Sequence, residues 1–104
     1  MTMRKKSNKI PKSLQGVLWS VKVENLDLQK DKVYIIHQIL SYGSLKELKW
    51  LLKNYSLSEI KQVFLNYPMR VYTPSSFNFI KEIFLGIKKR LNEKKYIFSL
   101  PFVR

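Results

Sequence analysis

The chain has 104 residues, 45% of them apolar, which suffices for one hydrophobic core but not for two independent ones. Its 20 Lys and Arg against 7 Asp and Glu give a net charge of +13, which predicts a negatively charged partner: nucleic acid, an acidic protein face or an anionic membrane surface. The absence of cysteine excludes disulfides and thiolate metal sites, and no apolar run approaches the ~20 residues that cross a bilayer, so we expect a cytoplasmic protein without membrane insertion.

The first predicted segment, residues 1–12, is a basic tail that contains five basic residues and no acidic one. Its low apolar content cannot offset the entropy of ordering, so we expect it to be flexible when free. Residues 13–95 are predicted as a single helical domain, and residues 96–104 as an apolar segment that either docks on this domain or contacts a partner. Within the domain, apolar residues alternate from residue 17 to residue 23, which predicts a short extended segment held in place by Trp19.

Three helices are predicted in the first two thirds of the chain. Asp27 can cap a helix over residues 28–42. Ser44 with Glu47, and Ser56 with Glu59, match the capping-box pattern, in which the cap and the third helical residue satisfy each other's free amides. This pattern predicts helices over residues 45–55 and 57–66.

A fourth helix is predicted after Pro68, with Pro74 at its first position. Its apolar stripe continues through Gly86 to Leu91, so we expect the glycine to interrupt the helix without ending it. The fold class is therefore mainly α, a compact bundle of about four helices with a short extended N-terminal segment and basic ends. The predicted core consists of apolar residues at helical spacing: Ile36, Leu40, Leu48, Leu52, Ile60, Val63, Ile80, Phe84 and Ile87.

Few residues of this chain are of the types that carry out catalysis. His37, the one histidine, lies at the edge of the first helix's apolar stripe, where it could act as an acid–base group, stack on a base or simply be packed. Asp27 and Asp31 both fall at the start of that helix, where carboxylates interact favourably with the helix dipole. The three glycines are too scattered for a phosphate-binding loop. We therefore expect no enzymatic activity, no cofactor and no metal site.

The second helix carries the sharpest binding signal in the sequence. Its predicted core stripe comprises four leucines and a tyrosine: Leu45, Leu48, Leu51, Leu52 and Tyr55. This stripe leaves Lys46, Lys49, Trp50 and Lys53 together on the opposite side. A Trp among lysines can stack on a base or anchor a protein interface. The alternative is that Trp50 packs under residues 17–23 and the lysines are merely solvated.

Two basic clusters near the ends are further candidates for contact with DNA, RNA or an acidic protein. They comprise Arg4, Lys5 and Lys6 near the start and Lys88, Lys89 and Arg90 near the end. Lysine outnumbers arginine in this chain, and arginine supplies the bidentate contacts to guanine. The composition therefore favours attraction to a phosphate backbone over sequence recognition.

A series of mainly apolar motifs between residues 14 and 80 resembles a family of small bacterial proteins. The motifs are Leu18-Trp19-Ser20-Val21-Lys22-Val23-Glu24-Asn25-Leu26-Asp27, Ile35-Ile36, Ile39-Leu40, Tyr42-Gly43-Ser44-Leu45, Trp50-Leu51-Leu52 and Tyr55. Members of that family tend to be encoded beside nucleotidyltransferase-like toxins of the abortive-infection type. The resemblance thus implies an antitoxin-like or accessory role with such a toxin as partner, and it implies no catalytic residue. A free-standing nucleic-acid-binding protein is the alternative function.

Overall fold

Four helices form the framework of residues 10–97, the part of the chain that the computed structural model describes. Helix α1 spans Lys32–Tyr42, α2 spans Leu45–Asn54 and α3 spans Leu57–Asn66. Helix α4 begins as Pro74–Asn78 and continues as a π-helical segment, Phe79–Phe84. Short 3₁₀ turns lie at Lys12–Leu14, Val23–Asn25 and Glu93–Lys95. Across residues 10–97 the β structure is limited to an isolated parallel bridge between Tyr72 and Ile97, so the predicted mainly α bundle is confirmed.

The predicted capping box is present at the start of α2, whereas at the start of α3 the serine caps the helix and the glutamate binds elsewhere. The backbone N–H of Ser44 donates to Oε1 of Glu47 at 2.6 Å, as a capping box requires. At α3, Oγ of Ser56 accepts from the N–H of Glu59 at 3.0 Å. The Glu59 carboxylate, however, forms an ion pair with Nζ of Lys32 at 2.9 Å, which connects the start of α3 to the start of α1.

The prediction that Asp27 caps the first helix is wrong. The helix begins at Lys32, directly after Asp31. Oδ2 of Asp27 instead accepts from the N–H groups of Gln29 and Lys30, both at 2.9 Å. Because the carboxylate satisfies these nearby amides, residues 27–31 form a separate turn before the helix.

The segment from residue 17 to residue 23, predicted as extended, consists of turns that lead into the 3₁₀ turn Val23–Asn25. The side chain of Gln15 organises these turns through three hydrogen bonds to the backbone. Its Nε2 donates to the carbonyls of Leu18 (2.8 Å) and Val21 (2.9 Å), and its Oε1 accepts from the N–H of Val23 at 2.9 Å. One amide side chain thus satisfies backbone groups that a strand partner would otherwise have to bond.

Gly86 ends the fourth helix, which corrects the prediction that the helix passes through it. Gly86 has φ +65°, a left-handed conformation that glycine adopts at little cost. Before it, the N–H of Leu85 bonds to the carbonyl of Ile80 at 2.8 Å, an i to i+5 bond of π-helical type. After it, the N–H of Ile87 returns to the carbonyl of Lys81 at 2.8 Å. The chain therefore reverses here, and Ile87 is buried without being helical.

The core lies between the helices and contains most of the predicted residues together with an aromatic cluster that the sequence did not indicate. Leu52 is the clear exception, because 45% of its surface is exposed, and Phe84 is only partly buried. Rings of residues distant in sequence pack together: Phe64 stacks on Tyr96 with centroids 4.7 Å apart, and Phe77 lies 5.0 Å from Tyr96. The hydroxyl of Tyr96 also donates to the carbonyl of Phe64 at 2.6 Å, which satisfies a buried polar group.

Both ends of the described part are packed against this core. Ile10, within the segment predicted as a tail, is 5% exposed, and Ile97 at the other end is 2% exposed. Tyr96 and Ile97 belong to the predicted apolar segment 96–104, and they dock on the domain. Residues 1–9 and 98–104, which contain the rest of both predicted segments, lie outside the described residues.

Candidate binding surface on the second helix

Helix α2 is anchored by one buried side, which determines what its other side presents to solvent. Leu48, Leu51 and Tyr55 are buried, and the hydroxyl of Tyr55 donates to the carbonyl of Leu28 at 2.7 Å. The buried stripe is narrower than predicted, because Leu45 and Leu52 are 68% and 45% exposed. The helix thus has a firm inner side and carries exposed leucines beside its lysines.

The residues predicted as a binding surface are brought together. Lys46, Lys49 and Lys53 are exposed, and with Trp50 and Leu45 they line a shallow, open depression of about 450 Å³. We call these five residues the α2 surface. Its lining is both apolar and cationic, because Leu45 and Trp50 lie among three lysines whose ammonium groups can extend into water while their carbon chains contribute apolar surface.

Trp50 is neither fully exposed nor fully buried in the structure. Its side chain is partly buried and packs against the hydrophobic core, and it also lines the depression. The helix around it is further held by Nδ2 of Asn54, which donates to the carbonyl of Trp50 at 2.9 Å. A partner on the α2 surface would thus meet a Trp whose position is already fixed by packing.

An exposed aromatic pair is a second surface feature, and sequence reasoning missed it. Trp19 is 54% exposed rather than pinned beneath the domain, and it meets Tyr42 edge-to-face with ring centroids 4.5 Å apart. Tyr42, at the end of α1, is itself 42% exposed. Exposed aromatic side chains are typical of binding surfaces. The signal could have been found only with the knowledge that Leu18, not Trp19, is the buried residue of this turn.

The predicted terminal lysines and arginines are only partly placed by the structure. Arg4, Lys5 and Lys6 lie outside the described residues. Lys88, Lys89 and Arg90 are exposed in the segment after Gly86. Lys88 and Arg90, but not Lys89, line a second cavity of about 290 Å³ that also contains the buried side chain of Lys81. Lys81 was not singled out from the sequence, although its position four residues after the buried Phe77 places it at the edge of the apolar stripe.

His37 is a packed residue whose two ring nitrogens are both engaged inside the protein. It is fully buried, with Nδ1 2.7 Å from the hydroxyl of Tyr72 and Nε2 2.7 Å from the carbonyl oxygen of Tyr67. Because a carbonyl can only accept, Nε2 carries the proton and Nδ1 accepts from Tyr72. Burial lowers the pKa of His37 from 6.5 to about 4, although the hydrogen bond to the Tyr67 carbonyl opposes this shift. The ring is therefore neutral near pH 7 and connects α1 to the segment after α3.

Comparison with known proteins identifies one similarity. Residues 14–64 match a family of unknown function (DUF6922), and the match covers just under half of the chain. It includes α1, α2 and α3 up to Phe64, and therefore the whole α2 surface, but not α4 or the cavity around Lys81. No curated protein and no solved structure matches this chain.

Residues 10–97 contain neither a cluster of metal ligands nor a membrane-spanning helix. Within this range, no group of three or more His, Asp or Glu side chains is arranged to hold a metal ion. In the same residues, every helix is too short or too polar to cross a bilayer.

Proposed function

We propose that this protein is a basic binding protein that holds a negatively charged partner protein on the α2 surface. The more specific form of the proposal is an antitoxin-like or accessory role toward a nucleotidyltransferase-fold toxin, which the resemblance in residues 14–80 implies. The observation that carries the proposal is Leu45, whose side chain is 68% exposed among Lys46, Lys49 and Lys53.

An exposed leucine among lysines indicates that this surface binds a protein and does not simply remain in water. Burying a leucine side chain stabilises a complex by roughly 1.5–3 kcal/mol, whereas a surface that only keeps lysines in water needs no exposed leucine. The surrounding lysines complement acidic side chains on the partner and accelerate encounter. Apolar side chains beside charged ones are usual in protein–protein interfaces.

The basic residues near the two ends supply a second, diffuse contribution in this proposal. Arg4, Lys5 and Lys6 at one end, and Lys89 at the other, add positive charge that attracts an acidic partner over distances of about a Debye length, roughly 8 Å in physiological salt. This contribution is screened by salt, whereas the burial of Leu45 is not. The salt dependence of binding therefore separates the two contributions.

Nucleic acid is the second candidate partner, and the arrangement of Trp50 favours it. Trp50 lines the same depression as three lysines, so a base could stack on the indole while ammonium groups contact phosphates. In that case the affinity would fall linearly with salt on logarithmic axes, with a slope that reports the number of phosphates neutralised.

A matched pair of leucine variants tests the proposed surface. Leu45→Ser should weaken the complex about tenfold or more, since it removes the exposed apolar side chain that the partner would bury. Leu52→Ser, on the same helix and 45% exposed but outside the depression, should leave the affinity unchanged. The genes neighbouring this one are first searched for a nucleotidyltransferase-like protein, the partner class that the resemblance implies. That protein is then co-expressed and co-purified with this chain, and the affinity is measured by isothermal titration calorimetry.

Four outcomes are informative. Weakening by Leu45→Ser alone supports the α2 surface as a protein interface. Equal weakening by Leu45→Ser and Leu52→Ser would show that binding does not depend on the depression, and no effect of either would place the interface elsewhere. Absence of a complex together with salt-dependent binding of an oligonucleotide would instead favour the nucleic-acid function.

A further inference from the structure

The cavity beside α4 contains a buried cation that the fold leaves incompletely compensated. Only 9% of the Lys81 side chain is exposed. Its Nζ donates to the carbonyl of Ile87 at 3.1 Å, and the Glu82 carboxylate lies 3.9 Å away, beyond hydrogen-bonding distance. Glu82 is thus a long-range ion-pair partner whose own side chain is 57% exposed. An ammonium group has three N–H donors, and the Ile87 carbonyl accepts one of them. The charge of Lys81 therefore has capacity for a further negatively charged contact.

Two more cations line the same space. Lys88 and Arg90 line the cavity of about 290 Å³ together with Lys81. The exposed residues Glu82 and Glu93 also line it, so three cations face two carboxylates and the lining keeps an excess of one positive charge. The lining also includes Asn78, whose amide can donate or accept. The positive charges thus come from two separate segments, the π-helical segment and the chain after Gly86, and they converge only because Gly86 reverses the chain.

The local backbone adds an independent indication. Lys81 lies within the π-helical segment Phe79–Phe84, and π-helical turns occur frequently at functional sites. The same residue accepts the N–H of Ile87 on its backbone carbonyl at 2.8 Å, so Lys81 joins the two walls of the cavity through both its backbone and its side chain.

We infer that this cavity is a binding site for a phosphate group, which the lining residues Lys81, Lys88 and Arg90 hold. A phosphate monoester carries a charge of about −1.5 to −2 near pH 7 and has three strong acceptor oxygens, which suits two ammonium groups and one guanidinium better than a monovalent carboxylate does. Glu82 and Glu93 then accept from hydroxyl or amino groups on the rest of the ligand. The site shares no residue with the α2 surface, so it goes beyond the function proposed above.

The phosphate could belong to a small phosphorylated molecule or to a nucleic-acid backbone, and the probes distinguish these sources. The full-length protein is titrated with inorganic phosphate, adenosine monophosphate, adenosine and a short single-stranded oligonucleotide, followed by NMR of the backbone amides and lysine side chains. Phosphate should shift the signals of Lys81, Lys88 and Arg90 in a saturable manner, and adenosine should not. Tighter binding of adenosine monophosphate than of phosphate identifies a small ligand, and tighter binding of the oligonucleotide identifies a nucleic acid.

Neighbouring lysines provide a control of equal charge. Lys88→Ala should raise the Kd for phosphate roughly tenfold or more, because it removes a charge-assisted hydrogen bond. Lys89→Ala removes the same charge one residue away and outside the cavity lining, and it should leave the Kd unchanged. Arg90→Ala should behave like Lys88→Ala, and all three changes are at exposed positions, where the fold tolerates them.

Lys81→Met completes the series, since it keeps the carbon chain and removes the charge. A folded Lys81→Met variant should lose phosphate binding while Leu45→Ser retains it. Equal weakening by Lys88→Ala and Lys89→Ala would show that phosphate responds only to diffuse charge, and the inference would fail. It would also fail if millimolar phosphate and adenosine monophosphate left the signals of all three cavity residues unchanged.

Discussion

His37 should make the stability of this protein depend on pH in a range where no other side chain of the chain ordinarily titrates. It is the one histidine in the sequence, and the carboxylates have reference pKa values near 4. In the folded state, burial lowers the pKa of His37 to about 4, whereas the unfolded chain should have the ordinary value of 6.5. Protons therefore bind more readily to the unfolded state.

The sign and the size of the effect follow from this difference. The contribution of neutral His37 to stability is fully present above pH 6.5 and is lost as the pH falls from 6.5 toward 4. Between pH 7 and pH 5 the expected loss is about 2 kcal/mol, a large fraction of the stability of a small domain. Tyr72 does not reverse it, because burial raises the pKa of its hydroxyl well above 10, so the hydroxyl stays protonated and keeps donating to Nδ1.

Urea denaturation at pH 7 and pH 5, at constant ionic strength and monitored by circular dichroism, measures this loss directly. The matched control is His37→Gln, which has an amide donor and acceptor but no titrating group. We expect this variant to be less stable at pH 7, because its amide cannot reproduce both 2.7 Å contacts, and to lose little more at pH 5. Equal stability of the natural protein at the two pH values, or a parallel loss in His37→Gln, would refute the reasoning.

Two further predictions concern core packing and the reversal after α4. Leu48→Ala should lower the free energy of unfolding by roughly 2–5 kcal/mol because Leu48 is only 7% exposed. Leu52→Ala, at a position that is 45% exposed, should lower it far less. Similar losses for the two variants in urea denaturation would mean that the buried side of α2 is misassigned. Gly86→Ala should lower the free energy of unfolding by about 1–2 kcal/mol because it places a Cβ on a residue with φ +65°. Gly16→Ala, at a position with open space and no positive φ, should leave the stability unchanged or raise it slightly. A thermal melt that ranked the two variants in the opposite order would contradict this account.

Local signals in the sequence were sufficient to predict where the helices α2, α3 and α4 begin. The starts of α2, α3 and α4 depend on Ser44, Ser56 and Thr73-Pro74, whose capping interactions involve residues only a few positions away. Such interactions can be predicted from spacing alone, and the structure confirms all three starts. The grouping of lysines with Trp50 follows equally from helical periodicity.

Features that depend on distant residues could not be predicted in this way. The turns of residues 17–23 depend on Gln15, whose side chain could have pointed to solvent as easily as to the backbone. The exposure of Leu52 depends on how α2 lies against its neighbours, which periodicity does not determine. The packing of His37 requires Tyr67 and Tyr72, about 30 residues further along the chain.

The candidate sites also differ in how far the sequence predicts them, because one depends on local spacing and the other on distant residues. Lysines on one helix were recognised from their spacing, but the cavity around Lys81 forms only when Gly86 returns the chain toward α4. In the sequence, Lys88, Lys89 and Arg90 are three equivalent basic residues. In the structure, Lys88 and Arg90 face the same cavity and Lys89 does not contribute to it.

The aromatic rings packed against Phe64 have a consequence for the segment that matches the family. Phe64 is the last residue of that segment and is fully buried, yet two of the rings against it, Phe77 and Tyr96, come from the part of the chain beyond the match. A fragment restricted to residues 14–64 would expose this ring to water and lose the hydrogen bond from the Tyr96 hydroxyl. The matched segment of this chain therefore depends on an apolar surface that the rest of the chain supplies, and the same segment joined to a different second half would need another such surface against residue 64.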